Sequence, residues 1–222
     1  MTPQTKQRMT YLTGIKLVIT DWSGVFSDDR RSVYEANMRV LEAYEKDRFS
    51  FEEWLPRTRL SPVEFFEDHG VSGSPQALFE EYRLAYTKVK DEGILPVVYS
   101  DAQDVLGFLS AKEIPIVVLS SHPKDHLLAE AAEYRIDGYF VEFLGSVRDK
   151  AAGISQVILE RDLRPTDSVY LGDTIYDIQA AKAAGVYSIG VATGYHLRPR
   201  LESEDPNFVV DSLTDFKALF RK

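Results

Sequence analysis

Three carboxylates and a serine stand where apolar runs end. Asp21 follows "KLVIT", Ser120 closes "IPIVVLS", and Asp173 and Asp177 lie in "VYLGDTIYD". Carboxylates gathered with a hydroxyl from separate segments suit a hard cation such as magnesium, which takes carboxylate oxygens, waters and substrate phosphate oxygens. The 222 residues contain no cysteine and only four histidines. Disulfides, thiolate metal sites and cysteine nucleophiles are therefore excluded, and softer metals are disfavoured.

Such acids can meet only if the strands carrying them end at one rim. Residues 15–20 form a short, partly β-branched apolar run that stops at a turn signal, with Gly24 allowing a tight turn after Asp21. This reads as a strand buried on both faces. Residues 114–120, 168–173, 187–192 and 208–212 have the same character. Helical patterns occupy "PKDHLLAEAAEYRI", "KAAGISQVILERD" and "DIQAAKAAG", the last closed by Gly185. The alternation predicts an α/β fold, a doubly wound parallel sheet with helices on both faces, whose ligands bind beyond the carboxyl ends of the strands.

Residues 27–96 read differently: they show no strand but several segments with helical apolar spacing, which predicts a helical cap inserted after the first strand. The expected organisation is a polar leader over 1–14, an α/β core from 15–26 and 97–222, and the cap over 27–96. The leader lacks the apolar stretch of a signal peptide, and no segment approaches a membrane-spanning length, so a cytoplasmic protein without membrane contact is expected. A formal net charge of −9 disfavours nucleic acid as a partner.

Four features together carry a family resemblance: "DWSGV" after a strand, a serine ending the next core strand, a lysine ahead of the third, and "GDTIYD" after it. From about Lys16 to the C-terminus the set resembles the four-motif signature of the haloacid dehalogenase superfamily. Its segment "VYLGDTIYDIQAAKAAGVYSIGVATGYH" is similar to the phosphoglycolate phosphatase-like branch, which has a small helical cap.

The resemblance implies a Mg2+-dependent hydrolase of a small phosphorylated metabolite. Asp21 would attack phosphorus and form an aspartyl phosphate that water hydrolyses. The metal would be held by Asp21, the backbone carbonyl of Ser23, Asp173, and Asp177 directly or through water. The Ser120 hydroxyl would bind the transferring phosphoryl group, and Lys150, in "GSVRDKAAG", would balance the charge. Two alternatives stay open: Arg148 competes with Lys150, which lacks the family's following proline, and Asp177 could simply cap its helix. Gly24, Ser121 and His122 are the expected substrate contacts. Pro123 would occupy a first helical position, so that Ser121 or His122 caps a helix whose free N–H groups face an anion. A surface imidazole is the other reading of His122.

Ser23 breaks the family pattern. Phosphatases of the family carry a second Asp there, which protonates the leaving oxygen and then activates water. Serine keeps the backbone carbonyl but cannot supply carboxylate acid/base catalysis, typically worth about 10²- to 10⁴-fold. Three readings follow. One is a phosphatase that is slow or restricted to good leaving groups. Another is acid/base-independent chemistry, as in phosphonoacetaldehyde hydrolase with its similar "DWAGT" loop, although "LPRTRLSPVEFF" lacks the lysine that chemistry needs. The third is a non-catalytic binder of a phosphorylated ligand. In the cap, Trp54, Arg57 and Arg59 could meet substrate; packing of the indole and solvation of the arginines is the plainer reading.

Overall fold

The computed structural model describes residues 11–59 and 61–220. Residues 1–10 of the expected leader lie outside the described residues. The chain forms two compact units, one up to Phe26 and again from Tyr99 onward, the other Ser27–Val98.

Along the chain come β1 (Leu17–Thr20), β2 (Ser27–Asp28), α1 (Arg30–Ala43), α2 (Phe51–Trp54), α3 (Pro62–Asp68), α4 (Pro75–Asp91) and β3 (Val97–Val98). There follow α5 (Ala102–Ala111), β4 (Ile116–Leu119), α6 (Lys124–Glu133), β5 (Glu142–Leu144), α7 (Lys150–Glu160), β6 (Ser168–Gly172), α8 (Ile175–Ala184), β7 (Tyr187–Val191), α9 (Arg198–Glu202), β8 (Phe208–Val210) and α10 (Leu213–Ala218). No helix of the described residues is long and apolar enough to cross a membrane.

Six strands make one sheet in the order β5-β4-β1-β6-β7-β8, and every neighbouring pair is parallel. The order reverses beside β1, creating the switch point at which open parallel sheets bind ligands. All four β1 residues are buried, as coverage of both sheet faces requires. On one face Leu17, Ile19, Val117, Leu119 and Tyr170 pack with Ile154, Val157 and Ile158 of α7 and Ala180 and Ala181 of α8. The two-residue strand period turns Val18 and Val118 to the opposite face. Register aligns the strand ends: Thr20 lies opposite Val118 on one side and Leu171 on the other. The residues after β1, β4 and β6 thus leave the sheet at nearly the same level.

The sheet has one strand more than the sequence predicts. β5 is three residues long and opens on Glu142, so it lacks the apolar run that marks the equally short β8. Residues 27–96 were expected to hold no strand; instead Ser27 and Asp28 pair antiparallel with Val98 and Val97. Two residues a side give no alternation to detect.

The second unit is otherwise helical. Serines start three of its helices: Ser50 forms a capping box with Glu53, and Ser61 and Ser74 cap helices that open on Pro62 and Pro75. α1 packs on α4. Trp54 is fully buried between Tyr34 and Phe51, with ring centroids 5.5 and 5.6 Å away. Arg57 donates to the Glu53 carbonyl and lies over the Phe49 ring, while Arg59 pairs with Asp68 at the surface. These contacts match the packing reading of Trp54.

Candidate active site

Asp21 continues the β1 ladder by one residue, its N–H donating to the Leu171 carbonyl at 2.9 Å. Its Oδ1 accepts from the Trp22 N–H at 2.8 Å. Its Oδ2 lies 2.6 Å from Lys150 Nζ, and the same ammonium reaches Asp177 Oδ1 at 2.6 Å. Lys150 is the first residue of α7, whose N-cap Asp149 accepts from the Ala152 N–H. Of the two cations the sequence left open, the fold brings Lys150 to the acids, while Arg148 is exposed.

Asp173 leaves β6 at the same rim. Its Oδ2 accepts from the Tyr195 N–H at 2.7 Å. The carboxyl group is walled by glycines: a Cβ on Gly24 would come 2.1 Å from Asp173 Oδ2, and one on Gly194 would come 2.0 Å from it. Gly24 also has φ +73°, a conformation that favours glycine. Both positions must lack a side chain for Asp173 to point inward.

Asp177 is not the N-cap of its helix. α8 begins earlier, capped by Thr174, and Asp177 is its partner in a capping box. Asp177 Oδ2 accepts from the Thr174 N–H and hydroxyl at 3.1 and 2.6 Å, and Oδ1 accepts from Lys150 and the Tyr170 hydroxyl. Thr174 and Tyr170 were not singled out from sequence; "T-x-x-D" at a helix start was the available signal.

Oxygens of Asp21, Asp173 and Asp177 lie within 4.8 Å of one another, and all three residues are buried. Burial, then the neighbouring Asp177 and Asp21, push the Asp173 carboxyl well above its ordinary range. Burial alone would lower the Lys150 ammonium, but Asp177 and Asp21 outweigh it and hold Lys150 well above the usual amine value. One lysine against three carboxylates leaves negative charge uncompensated. An all-oxygen donor set with that surplus fits a hard divalent cation.

Ser120 is buried beyond β4, and its hydroxyl accepts a long hydrogen bond from the His122 N–H at 3.4 Å. Ser121 is exposed. The expected cap of α6 by Ser121 or His122 is corrected: Pro123 itself is the N-cap, with ψ 140°, no side chain caps the helix, and α6 opens at Lys124. Extended backbone at the proline delays the helix by one residue.

Ser23 Oγ lies 3.1 Å from His122 Nε2. Behind it, His122 Nδ1 is 3.4 Å from His126 Nδ1, and His126 Nε2 is 3.3 Å from Glu130 Oε1. The other oxygen of Glu130 accepts from the buried Trp22 indole N–H at 2.7 Å. His126 and Glu130 follow the four-residue spacing of one helix face, a signal present in the sequence but not used there; His122 lies before α6 and joins them from the loop.

Comparison with known proteins places the chain in a family. The profile of the family described as haloacid dehalogenase-like hydrolase matches residues 18–191. A phosphoglycolate phosphatase of Shigella boydii serotype 4 is 29% identical over 143 residues, 62% of this chain and 55% of that protein. The chain thus matches only about half the length of that relative. A phosphoglycolate phosphatase of Photobacterium profundum is 22% identical over 219 residues, 93% of this chain and 96% of that protein. Among solved structures, a haloacid dehalogenase-like hydrolase from Streptococcus pneumoniae has a TM-score of 0.83 at 18% identity, covering 94% of this chain and 99% of that one. A predicted phosphoglycolate phosphatase from Haemophilus somnus has a TM-score of 0.79 at 17% identity, covering 94% and 99%. At such identity the structural likeness speaks for the fold.

Proposed function

Since the chain belongs to the haloacid dehalogenase-like hydrolases, we propose that it hydrolyses a small phosphate monoester through an aspartyl phosphate on Asp21. The observation that carries this reading is the buried Asp21 carboxylate at the switch point, 2.6 Å from Lys150 and grouped with Asp173 and Asp177.

Asp21 Oδ1 is oriented by the Trp22 N–H, and Oδ2 is the oxygen paired with Lys150. Attack on phosphorus breaks the bond to the leaving oxygen and places the phosphoryl group on Asp21; water then breaks the Asp21–phosphorus bond and releases phosphate. Lys150, which also faces Asp177, compensates charge on the nucleophile and on the phosphoryl oxygens. Positioning and neutralisation of this kind dominate phosphoryl transfer. Ser120 would donate its hydroxyl to a phosphoryl oxygen. Magnesium bound by Asp21, Asp173, Asp177 and the Ser23 carbonyl would supply further neutralisation and orient the phosphoryl group. The relatives' names make a small phosphorylated carboxylate the first substrate class to try.

The test is phosphate release from aryl, acyl and alkyl phosphates, 2-phosphoglycolate among them, with and without Mg2+. Mg2+-dependent turnover that falls to background in Asp21→Asn is expected. Failure to hydrolyse any ester would favour a phosphate-ligand binder instead.

A further inference from the structure

Ser23 stands where the family pattern calls for a carboxylate, yet its hydroxyl is not an isolated polar group. It touches His122 Nε2, and the chain of contacts runs on through His126 to Glu130, which is buried and tied to Trp22. All of these residues belong to one compact unit. Ser23 and His122 are half-buried, so the near end of the chain is partly open to solvent, two residues from Asp21, while the far end is buried at Glu130.

The order of atoms decides which proton sits where. If His126 directs its Nε2–H at Glu130 Oε1, its Nδ1 is an acceptor, and His122 must donate Nδ1–H to it. That leaves His122 Nε2 without a proton and facing the Ser23 hydroxyl, as a base. When His122 gains a proton on Nε2, that N–H donates to Ser23 Oγ while Nδ1–H still donates to His126. Both states satisfy these partners without a side chain moving. A carboxylate fixing the tautomer of the imidazole that faces a hydroxyl is the arrangement by which hydrolases move protons to and from a reacting oxygen; here Glu130 acts on His122 through a second imidazole, His126.

We infer that the Ser23–His122 pair performs the proton transfers assigned in related phosphatases to a second aspartate, with His126 and Glu130 as positioning residues. The inference rests on the phosphomonoester reading given above. As Asp21 oxygen bonds to phosphorus and the ester P–O bond breaks, the leaving oxygen takes the Ser23 hydroxyl proton, and Ser23 takes the Nε2 proton of the His122 imidazolium. In the second step the attacking water gives one proton to Ser23, which passes one to His122 Nε2. The Asp21–phosphorus bond breaks, the phosphate carries the water oxygen, and the imidazolium is restored. One ester and one water become one alcohol and one phosphate.

The experiment compares wild type, His122→Ala and the double variant Ser23→Asp/His122→Ala on phosphomonoesters graded from aryl to alkyl leaving groups, with Mg2+. Loss of a proton donor hurts poor leaving groups most. The His122→Ala loss in kcat/KM on alkyl esters should exceed its loss on aryl esters by at least about tenfold, within the typical reach of general acid catalysis. The double variant, which restores a carboxylate at the family position, should recover alkyl-ester turnover at least about tenfold over His122→Ala. An equal loss along the series, or a double variant no better than the single one, would overturn the inference and leave the phosphatase reading standing. A wild type inert on every ester would overturn both. Should alanine at 122 prevent folding, His122→Asn carries the same comparison, because it keeps a hydrogen bond to Ser23 without exchanging protons.

Discussion

Lys150 Nζ sits 2.6 Å from Asp21 Oδ2, joining the start of α7 to the end of β1 across 129 positions of sequence. The same ammonium meets Asp177, so one side chain compensates two of the three buried acids. Lys150→Met removes that compensation and keeps most of the volume. Breaking a buried charge pair from one side costs about 3–5 kcal/mol, and phosphate release should fall with it. Arg148→Ala, at an exposed position, should change neither. Urea denaturation and turnover of the two variants, side by side, check both halves of the expectation.

Room for the Asp173 carboxyl depends on an absent side chain. A Cβ on Gly194 would lie 2.0 Å from Asp173 Oδ2, and Gly194 is not among the positive-φ glycines, so Gly194→Ala displaces the carboxyl without the backbone penalty that alanine would carry at Gly24. A displacement near 1 Å can cost on the order of 10²-fold in rate. The thermal midpoint should move far less than kcat/KM, and loss of the fold in this variant would show that the contact matters to stability first.

Burial and the neighbouring Asp177 and Asp21 disfavour the ionised form of Asp173, so a cation taken up there should stabilise the folded chain. Mg2+ titrated into chelator-treated protein should raise the thermal midpoint in a concentration-dependent way, as a ligand bound only to the native state does. Asp173→Asn should equal or exceed wild type in chelator, because it relieves repulsion, and should lose most of the Mg2+ shift. Scanning fluorimetry reads both; a full Mg2+ shift in the variant would remove Asp173 from the metal set.

Just ahead of β6, at the end of the strand away from Asp173, Asp167 has Arg164 at 2.7 Å and Lys16 at 3.2 Å. The Arg164 hydrogen bond is the chief reason its carboxyl is lowered to about 2. A folded value below the unfolded one means that the stabilisation is present above about pH 4 and is lost as pH falls toward 2. Asp167→Asn should therefore lower the thermal midpoint at pH 7, and the gap to wild type should close on acidification through that window. A gap independent of pH would assign the effect to packing.

What could be read from sequence, and what could not, follows from how local each signal is. β1, β4, β6 and β7 were legible because fully or largely buried apolar runs stop at the rim where Asp21, Ser120 and Asp173 stand. β5 escaped because its three residues open on the charged Glu142, whereas the equally short edge strand β8 is wholly apolar. The start of α8 was placed late because Thr174, not Asp177, supplies the cap. Lys150 could not be separated from Arg148 until the Asp149 cap set where α7 begins. Ser23 was visible as a departure, but its contact with His122 joins segments 99 residues apart, and only the parallel pairing of β1 with β4 brings those strand ends together.

Covalent chemistry on Asp21 is the claim on which the mechanism stands, and a single-turnover acid quench addresses it directly. Protein mixed with a hydrolysed ester and Mg2+, quenched before turnover completes and digested at low pH, should yield a phosphorylated peptide whose modified residue is Asp21. Turnover with no phosphoryl adduct at any quench time, or with the adduct on a different residue, would contradict Asp21 as the nucleophile.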